Sequence, residues 1–270
     1  VGIFLAVHVA AVSRDGLDVA LLVASGIVLV LGLIDDRVGL GPAVRLVVEL
    51  GAALVLVVMT PYTESGAVFV VLAVLVVVTA VNSVNLYDGL DGLAGSSALV
   101  TALGLAWLLS GRGLGSVPPI ELAMAIGGFL VLNWHPAKVF LGDGGSYVIG
   151  LTLAHMILSS GDSTGDVIVA LGLFGVFAID LLASIARRLL SGGPLFAGDR
   201  AHLYDQLRER GLGVSRVALA SGVAQGTLVA AVVLVDRSMT AWAGVAVLIA
   251  LMMVIMGALA RAGFLSVGSG

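Results

Sequence analysis

Long apolar runs separated by short polar breaks dominate the chain. Runs rich in Val, Leu and Ala fall near 1–12, 18–34, 43–60, 66–84, 93–109, 120–134, 145–159, 166–186, 217–235 and 240–259. Most approach the roughly 20 residues that carry an α-helix across a bilayer. In hydrocarbon every backbone polar group needs an internal partner, which helices supply within one segment. The pattern predicts an all-α, polytopic transmembrane helix bundle of about ten helices, forming a single integral membrane domain over 1–270. Most breaks carry Gly, Pro, Ser or Asp, as turns do. One differs: 187–216, "RRLLSGGPLFAGDRAHLYDQLRERGLGVSR", is long and charged. Within it "DRAHLYDQLRERG" reads as an amphipathic helix, with Leu203, Leu207 and Leu212 on its apolar side.

Composition agrees with that pattern. The chain is 60% hydrophobic and 11% charged, with a mean hydropathy of +1.17. A soluble domain of this length needs far more polar surface. With no cysteine, disulfides and thiolate metal sites are excluded. No signal peptide is visible, and no nucleic-acid partner is expected. Sorted by alternating loops, Arg37, Arg45, Lys138, Arg187, Arg188, Arg200, Arg208, Arg210, Arg216 and Arg261 fall on one side. Arg14, Arg112 and Arg237 fall on the other. The basic side is predicted to be cytoplasmic.

The same sorting gathers chemistry on that side. It receives Asp35 and Asp36 from "GLIDDRVGL", Asn85, Asp88 and Asp91 from "VNSVNLYDGLDGLAGSSALV", and Asn133, His135, Lys138 and Asp143 from "NWHPAKVFLGDGGS". The long loop adds Arg200, His202 and Asp205, and Asp180 lies near the inner end of its helix. Asp15, Asp18, Glu64, Glu121, Asp162, Asp166 and Asp236 scatter on the outer side.

Adjacent carboxylates repel unless a cation or water separates them. Asp35–Asp36 is therefore either a solvated helix-end pair beside Arg37 or a pair handling metal or phosphate. Asn85, Asp88 and Asp91, three apart, would share one broad helix face, and Gly89, Gly92 and Gly95 a bare strip for close packing. An Asp near a membrane helix is costly unless compensated, which favours function there. Asp143 sits between glycines where a helix begins, a setting for phosphate and for Mg²⁺, which takes oxygen ligands. The plainer reading is a helix cap. Phe140 either stacks on a base or sits at the interface, and His202 beside Arg200 is a phosphate-binding candidate. His8 and His155 read as tolerated helix residues, Glu49 as a helix-end charge, and Trp107, Trp134 and Trp242 as interfacial anchors.

"GLIDDR", "NLYDGLDGLAGS", "FLGDGGS" and "GDRAHLYDQL" resemble, in order and topological position, the polyprenyl-phosphate N-acetylhexosamine-1-phosphate transferases. The resemblance covers nearly the whole chain. It implies a bacterial plasma-membrane enzyme with its active site on the cytoplasmic face, initiating cell-envelope polysaccharide such as O-antigen or teichoic acid. The reaction implied moves a sugar 1-phosphate from a UDP-N-acetylhexosamine to polyprenyl phosphate, releasing UMP. Mg²⁺ is the implied cofactor, with Mn²⁺ as the alternative ion. Such proteins have ten or eleven transmembrane helices, so a first helix and its following loop are expected to be missing here. By the same resemblance Asp35 and Asp36 are the catalytic pair, with Asp36 acting on or orienting the lipid phosphate. Asp143 is the metal ligand and Asn85 its companion. Asp88 and Asp91 line the nucleotide pocket, Phe140 stacks on the uracil, and Lys138, Arg200 and His202 contact substrate. Tyr204 and Asp205 stand where many relatives carry further His. That leaves UDP-GlcNAc as the default donor, with UDP-QuiNAc or UDP-FucNAc open, and a homodimer as an open assembly state.

The bilayer location has a physical reason. A prenyl tail stays in lipid while a UDP-sugar stays in water, so the two meet only at the boundary. Two rival readings remain at this point. A transporter would place its ionisable groups near the midplane. A CDP-alcohol phosphotransferase would carry an Ala-Arg step after its Asp-Gly, which "DGLDGLAGS" lacks.

Overall fold

A computed structural model describes residues 18–62, 66–161, 163–191 and 202–265, together with Gly2. Among these residues all regular structure is helical. The elements are α1 (Val19–Val38), α2 (Pro42–Met59), α3 (Ala67–Leu86), α4 (Leu93–Gly111), α5 (Val117–Asn133), α6 (Gly142–Leu158), α7 (Thr164–Leu171), α8 (Gly175–Ser191), α9 (Leu203–Glu209), α10 (Val214–Ser238) and α11 (Ala241–Arg261). Seven segments are long and apolar enough to cross a membrane, α7 and α8 counting as one span. The 17-residue α5 and α6 complete nine of the ten expected segments. The tenth, 1–12, lies outside the described residues but for Gly2, as does Arg200.

The core is organised around α6, which is buried from Ser146 to Leu158. It packs between α1 and α3, while α4 packs on α5 and α10. Glycines set these approaches. A methyl group on Gly32 of α1 would collide with the backbone of Gly144 in α6. One on Gly150 would sit 2.8 Å from the Ala80 carbonyl oxygen and the Val81 Cα in α3. Small residues let helix backbones touch where lipid supplies no hydrophobic drive for association.

The run at 166–186, read as one helix, is broken. A 3₁₀ turn at Gly172–Phe174 separates α7 from α8. The buried Gln225 of α10 serves the break. Its amide oxygen accepts from the Val176 N–H at 2.9 Å, and its nitrogen donates to the Leu173 carbonyl at 2.6 Å and to Thr101 Oγ1 at 2.8 Å. Broken helices survive in a bilayer when a neighbour satisfies the released backbone groups.

The end of the bundle away from Asp36 is also more ordered than its scattered acids suggested. Arg112 donates to Asp236 and to the carbonyls of Ser160, at 2.7 Å, and Asp166, at 3.1 Å, joining α4, α10 and the α6–α7 link. His155 contacts Tyr62 Oη at 3.0 Å and Asp18 at 3.1 Å, and so is a tie rather than a tolerated residue. Burial of Glu49 corrects its reading as a helix-end charge: it is 2% exposed and accepts a hydrogen bond from Asn82 of α3.

Two outcomes follow. Gly32→Ala costs about 3 kcal/mol or abolishes folding, while Gly26→Ala on the same helix, with open space at its Cβ, leaves the unfolding midpoint in detergent unchanged or higher. Gln225→Leu strands buried polar groups and lowers stability by about 1–3 kcal/mol in the same measurement.

Candidate active site

Four chain segments converge at one end of the bundle. α1 ends on Asp35 and Asp36, and the two acids differ. Asp35 is 6% exposed. It accepts from the Leu40 N–H at 2.6 Å, from Arg45 of α2 at 3.1 Å and from the Tyr147 hydroxyl of α6 at 3.3 Å. Those bonds commit it to holding α1, α2 and α6 together. Arg37, expected as its partner, donates instead to the Leu33 carbonyl at 2.8 Å. Asp36 is exposed and accepts from the Asp143 N–H at 3.0 Å, at the start of α6. Gly142, at φ +66°, makes room there, since a Cβ would lie 2.7 Å from Asp36 Oδ2.

Asn85, in the last turn of α3, donates to Asp143 at 2.7 Å and to Ser146 at 3.1 Å. Beyond it the expected shared helix face does not form. α3 ends at Leu86, and Asp88 and Asp91 lie in the turn before α4. The turn brings Asp88, not Asp91, to the cleft. Asp91 is held by His135 Nδ1 at 2.7 Å and the Ala137 N–H at 3.0 Å. Asn133 reinforces the same join, accepting from the Gly92 N–H and donating to the Val139 carbonyl. The three glycines do take close neighbours, but three different ones: Tyr204 at Gly89, Trp134 at Gly92 and Leu130 at Gly95.

The cleft encloses about 620 Å³. Asn85, Asp88 and Asp143 form one wall, and His202, Tyr204, Asp205 and Arg208 the other. The second wall is built by α9. Leu203 and Leu207 of its apolar side line a cavity of about 470 Å³ between α8, α10 and α11. Tyr204 separates that cavity from the cleft, and its hydroxyl donates to the Leu86 carbonyl at 3.0 Å.

Charge in the cleft is unbalanced. Burial, then the charges of Asp143, Asp36 and Asp91, push the Asp88 carboxyl up to about 8. Asp205 is raised as well, first by burial. Asp91 is held below the ordinary range, mainly by its bond from His135. Among the described residues no Lys or Arg forms an ion pair with Asp36, Asp88 or Asp143. Oxygen donors crowded without a counter-charge fit a hard divalent cation. Among the described residues no three His, Asp or Glu side chains close a metal cage, so waters or phosphate oxygens would complete the shell, as is usual for Mg²⁺.

Residues 19–161 match the family model described as glycosyl transferase family 4. The chain belongs to glycosyl transferase family 4. Its similarity extends beyond the matched region. A decaprenyl-phosphate N-acetylglucosaminephosphotransferase of Mycobacterium tuberculosis (strain CDC 1551 / Oshkosh) is 34% identical over 74% of this chain and 59% of the relative. The protein of the same name from Mycolicibacterium smegmatis is 33% identical over 90% of this chain and 70% of that relative. An undecaprenyl-phosphate alpha-N-acetylglucosaminyl 1-phosphate transferase of Pasteurella multocida is 36% identical over 28% of this chain and 22% of its own length. The chain thus spans 59% of the Mycobacterium tuberculosis relative's length.

In this family 4 member, the sequence-selected Asp36, Asn85, Asp88, Asp143 and His202 come together. Asp35, bonded to Arg45 and Tyr147, lies against the Asp143 side chain as well, and Asp91 serves as a tie beside them. Lys138 and Phe140, the latter 72% exposed, sit on the 134–141 loop and do not line the cleft. Reading the sequence missed Arg45, Tyr147 and Arg208. Tyr147 meets Asp35 from 112 residues away, Arg45 meets it across the α1–α2 turn, and Arg208 stands in a wall visible only after folding.

A carboxyl raised from 3.8 to about 8 by folding binds its proton more tightly in the folded chain, so stability falls as pH rises through that window. In chelator, the unfolding midpoint therefore drops between about pH 5 and 8, and Asp88→Asn flattens that slope; parallel slopes for both proteins would refute it.

Proposed function

We propose that this chain transfers a sugar 1-phosphate from a UDP-N-acetylhexosamine, with GlcNAc as default sugar, to polyprenyl phosphate, releasing UMP. The observation that carries the reading is the bonded set Asp36–Asp143–Asn85 beside Asp88, at one end of a membrane bundle belonging to a family whose named members above act on prenyl phosphates. The basic loops fall at the same end, which supports a cytoplasmic face for the cleft and a multi-pass place in the bacterial plasma membrane. Such an enzyme would start cell-envelope polysaccharide synthesis. A midplane transporter site finds no support in this arrangement, and family membership weighs against a CDP-alcohol phosphotransferase.

Phosphoryl transfer asks a protein mainly for in-line positioning and charge neutralisation. Two anionic substrates would meet here beside three acids, so a cation is needed to bring them together. Asp143, Asn85 and Asp88 would hold Mg²⁺. Bound there, the ion would offset the diphosphate charge and ease departure of UMP. Asp36, at the exposed mouth, orients the incoming lipid phosphate, and its bond to the Asp143 N–H keeps that mouth in register with the metal site. Asp35 works behind it through Arg45 and Tyr147. Arg208 supplies positive charge on the opposite wall. Apolar surface for the acceptor's tail is at hand: a cavity of about 480 Å³ runs between α3 and the α7–α8 pair, reaching Ser83, two residues before Asn85.

The test uses the purified full chain in nanodiscs with polyprenyl phosphate, Mg²⁺ and a panel of UDP-sugars. Expected are UMP release and sugar phosphate in the organic-extractable lipid. Asp143→Asn lowers turnover at least about a hundredfold, in the range seen when a charge-stabilising group is lost. UMP formation that needs no lipid acceptor, or none with any UDP-sugar, overturns the reading.

A further inference from the structure

Asp180, which the proposed function leaves without a role, is among the least exposed acids of the described residues, at 2%. It projects from α8, and both of its oxygens are engaged. Oδ1 accepts from the Leu203 N–H at 2.7 Å, at the first residue of α9. Oδ2 lies 2.6 Å from His202 Nδ1. The imidazole is buried, lies 5.2 Å from the Tyr204 ring and 3° from parallel with it, and borders the cleft. Ser184 Oγ is 3.4 Å from the same nitrogen and accepts from Arg187 at 2.9 Å.

We propose that Asp180 is a positioning residue for the transfer reaction: it holds the proton of His202 on Nδ1 and anchors the cleft wall at Leu203. The proposal rests on the function argued above. A carboxylate can only accept, so Nδ1 must carry the hydrogen, and Nε2 becomes the nitrogen that exchanges a proton with its surroundings. The partner of one ring nitrogen fixes the chemistry of the other. The second bond, to Leu203, makes the carboxylate a hinge pin. It sets the start of α9, hence the ring plane of His202 and the stacked Tyr204 that closes the wall. Among the described residues, Asp180 and Arg187 on α8 and Tyr204 and Asp205 on α9 lie about the ring, while Tyr87 and Asp88 act on the stacked Tyr204.

Asp180→Asn tests it with little change of shape. The new amide can still accept from Leu203 with its oxygen but presents N–H to Nδ1, which forces the hydrogen onto Nε2. Expected is a fall in kcat of about tenfold to a hundredfold, the usual cost of losing an outer partner, with the UDP-sugar KM moving less than about threefold. Carbethoxylation of His202, followed by peptide mass spectrometry, slows at least about fivefold, while the exposed His135 reacts at the wild-type rate. In a double-mutant cycle, Asp180→Asn adds nothing to the loss already caused by His202→Gln, as expected for residues acting as one unit. Additive losses, or a folded variant with wild-type kcat and labelling, overturn the proposal. If the variant does not fold, nitrogen-15 spectra of the wild-type protein decide, with the His202 signal identified by its absence in His202→Gln. A protonated Nδ1 supports the assignment and an unprotonated Nδ1 refutes it. That readout holds whether or not the protein releases UMP, so it fails separately from the proposed function.

Discussion

Everything at the active-site end depends on how near α6 comes to its two neighbours. Its backbone touches α1 where Gly32 meets Gly144, and touches α3 where Gly150 meets Ala80 and Val81. A larger residue at either crossing would push α6 outward by more than the length of a hydrogen bond allows. Asp143 begins that helix, and its bonds to Asp36 on one side and Asn85 on the other, 3.0 and 2.7 Å long, exist only at that spacing. The packing of small residues deep in the bundle thus fixes the geometry of acids at its surface. Packed interiors transmit such displacements rather than absorb them.

Polar groups within the bundle follow one rule at both ends. Each buried charge is joined to groups on other helices: Asp35 to Arg45 and Tyr147, Arg112 to Asp236 and two carbonyls, Asp180 to His202 and Leu203. In a low-dielectric interior an uncompensated charge is costly, so these ties also act as registers between helices. Asp36, Asp88 and Asp143 stand apart in charge rather than in bonding. They crowd together without a basic partner among the described residues, and that imbalance marks the place where chemistry is expected. Glu49 is a smaller departure, with one oxygen bonded to Asn82 and the other lacking a partner among the described residues.

Much of this was legible in the sequence because membrane chains write their topology in runs of apolar residues. The helix positions and the gathering of Asp36, Asn85, Asp88, Asp143 and His202 followed from run lengths and from loop charge. The misses share a cause. Gly172–Phe174 is apolar like its surroundings, so no polar signal marks the break that Gln225, some fifty residues later, makes tolerable. Asp91 carries the same motif spacing as Asp88, but only the turn geometry sends one to the cleft and the other to His135. Asp35 and Asp36 are neighbours in sequence and opposites in environment, because successive residues at a helix end point about 100° apart.

The Tyr204 ring has two wettings. One side borders a polar cleft, the other an oily chamber walled by Leu207, Leu228 and Ile255. It is a partition one side chain thick, latched by its hydroxyl to the Leu86 carbonyl. Replacing it with a short side chain would join the two compartments and let solvent toward the junction of α8, α10 and α11, so a residue that makes no charge contribution keeps water and oil apart at this point.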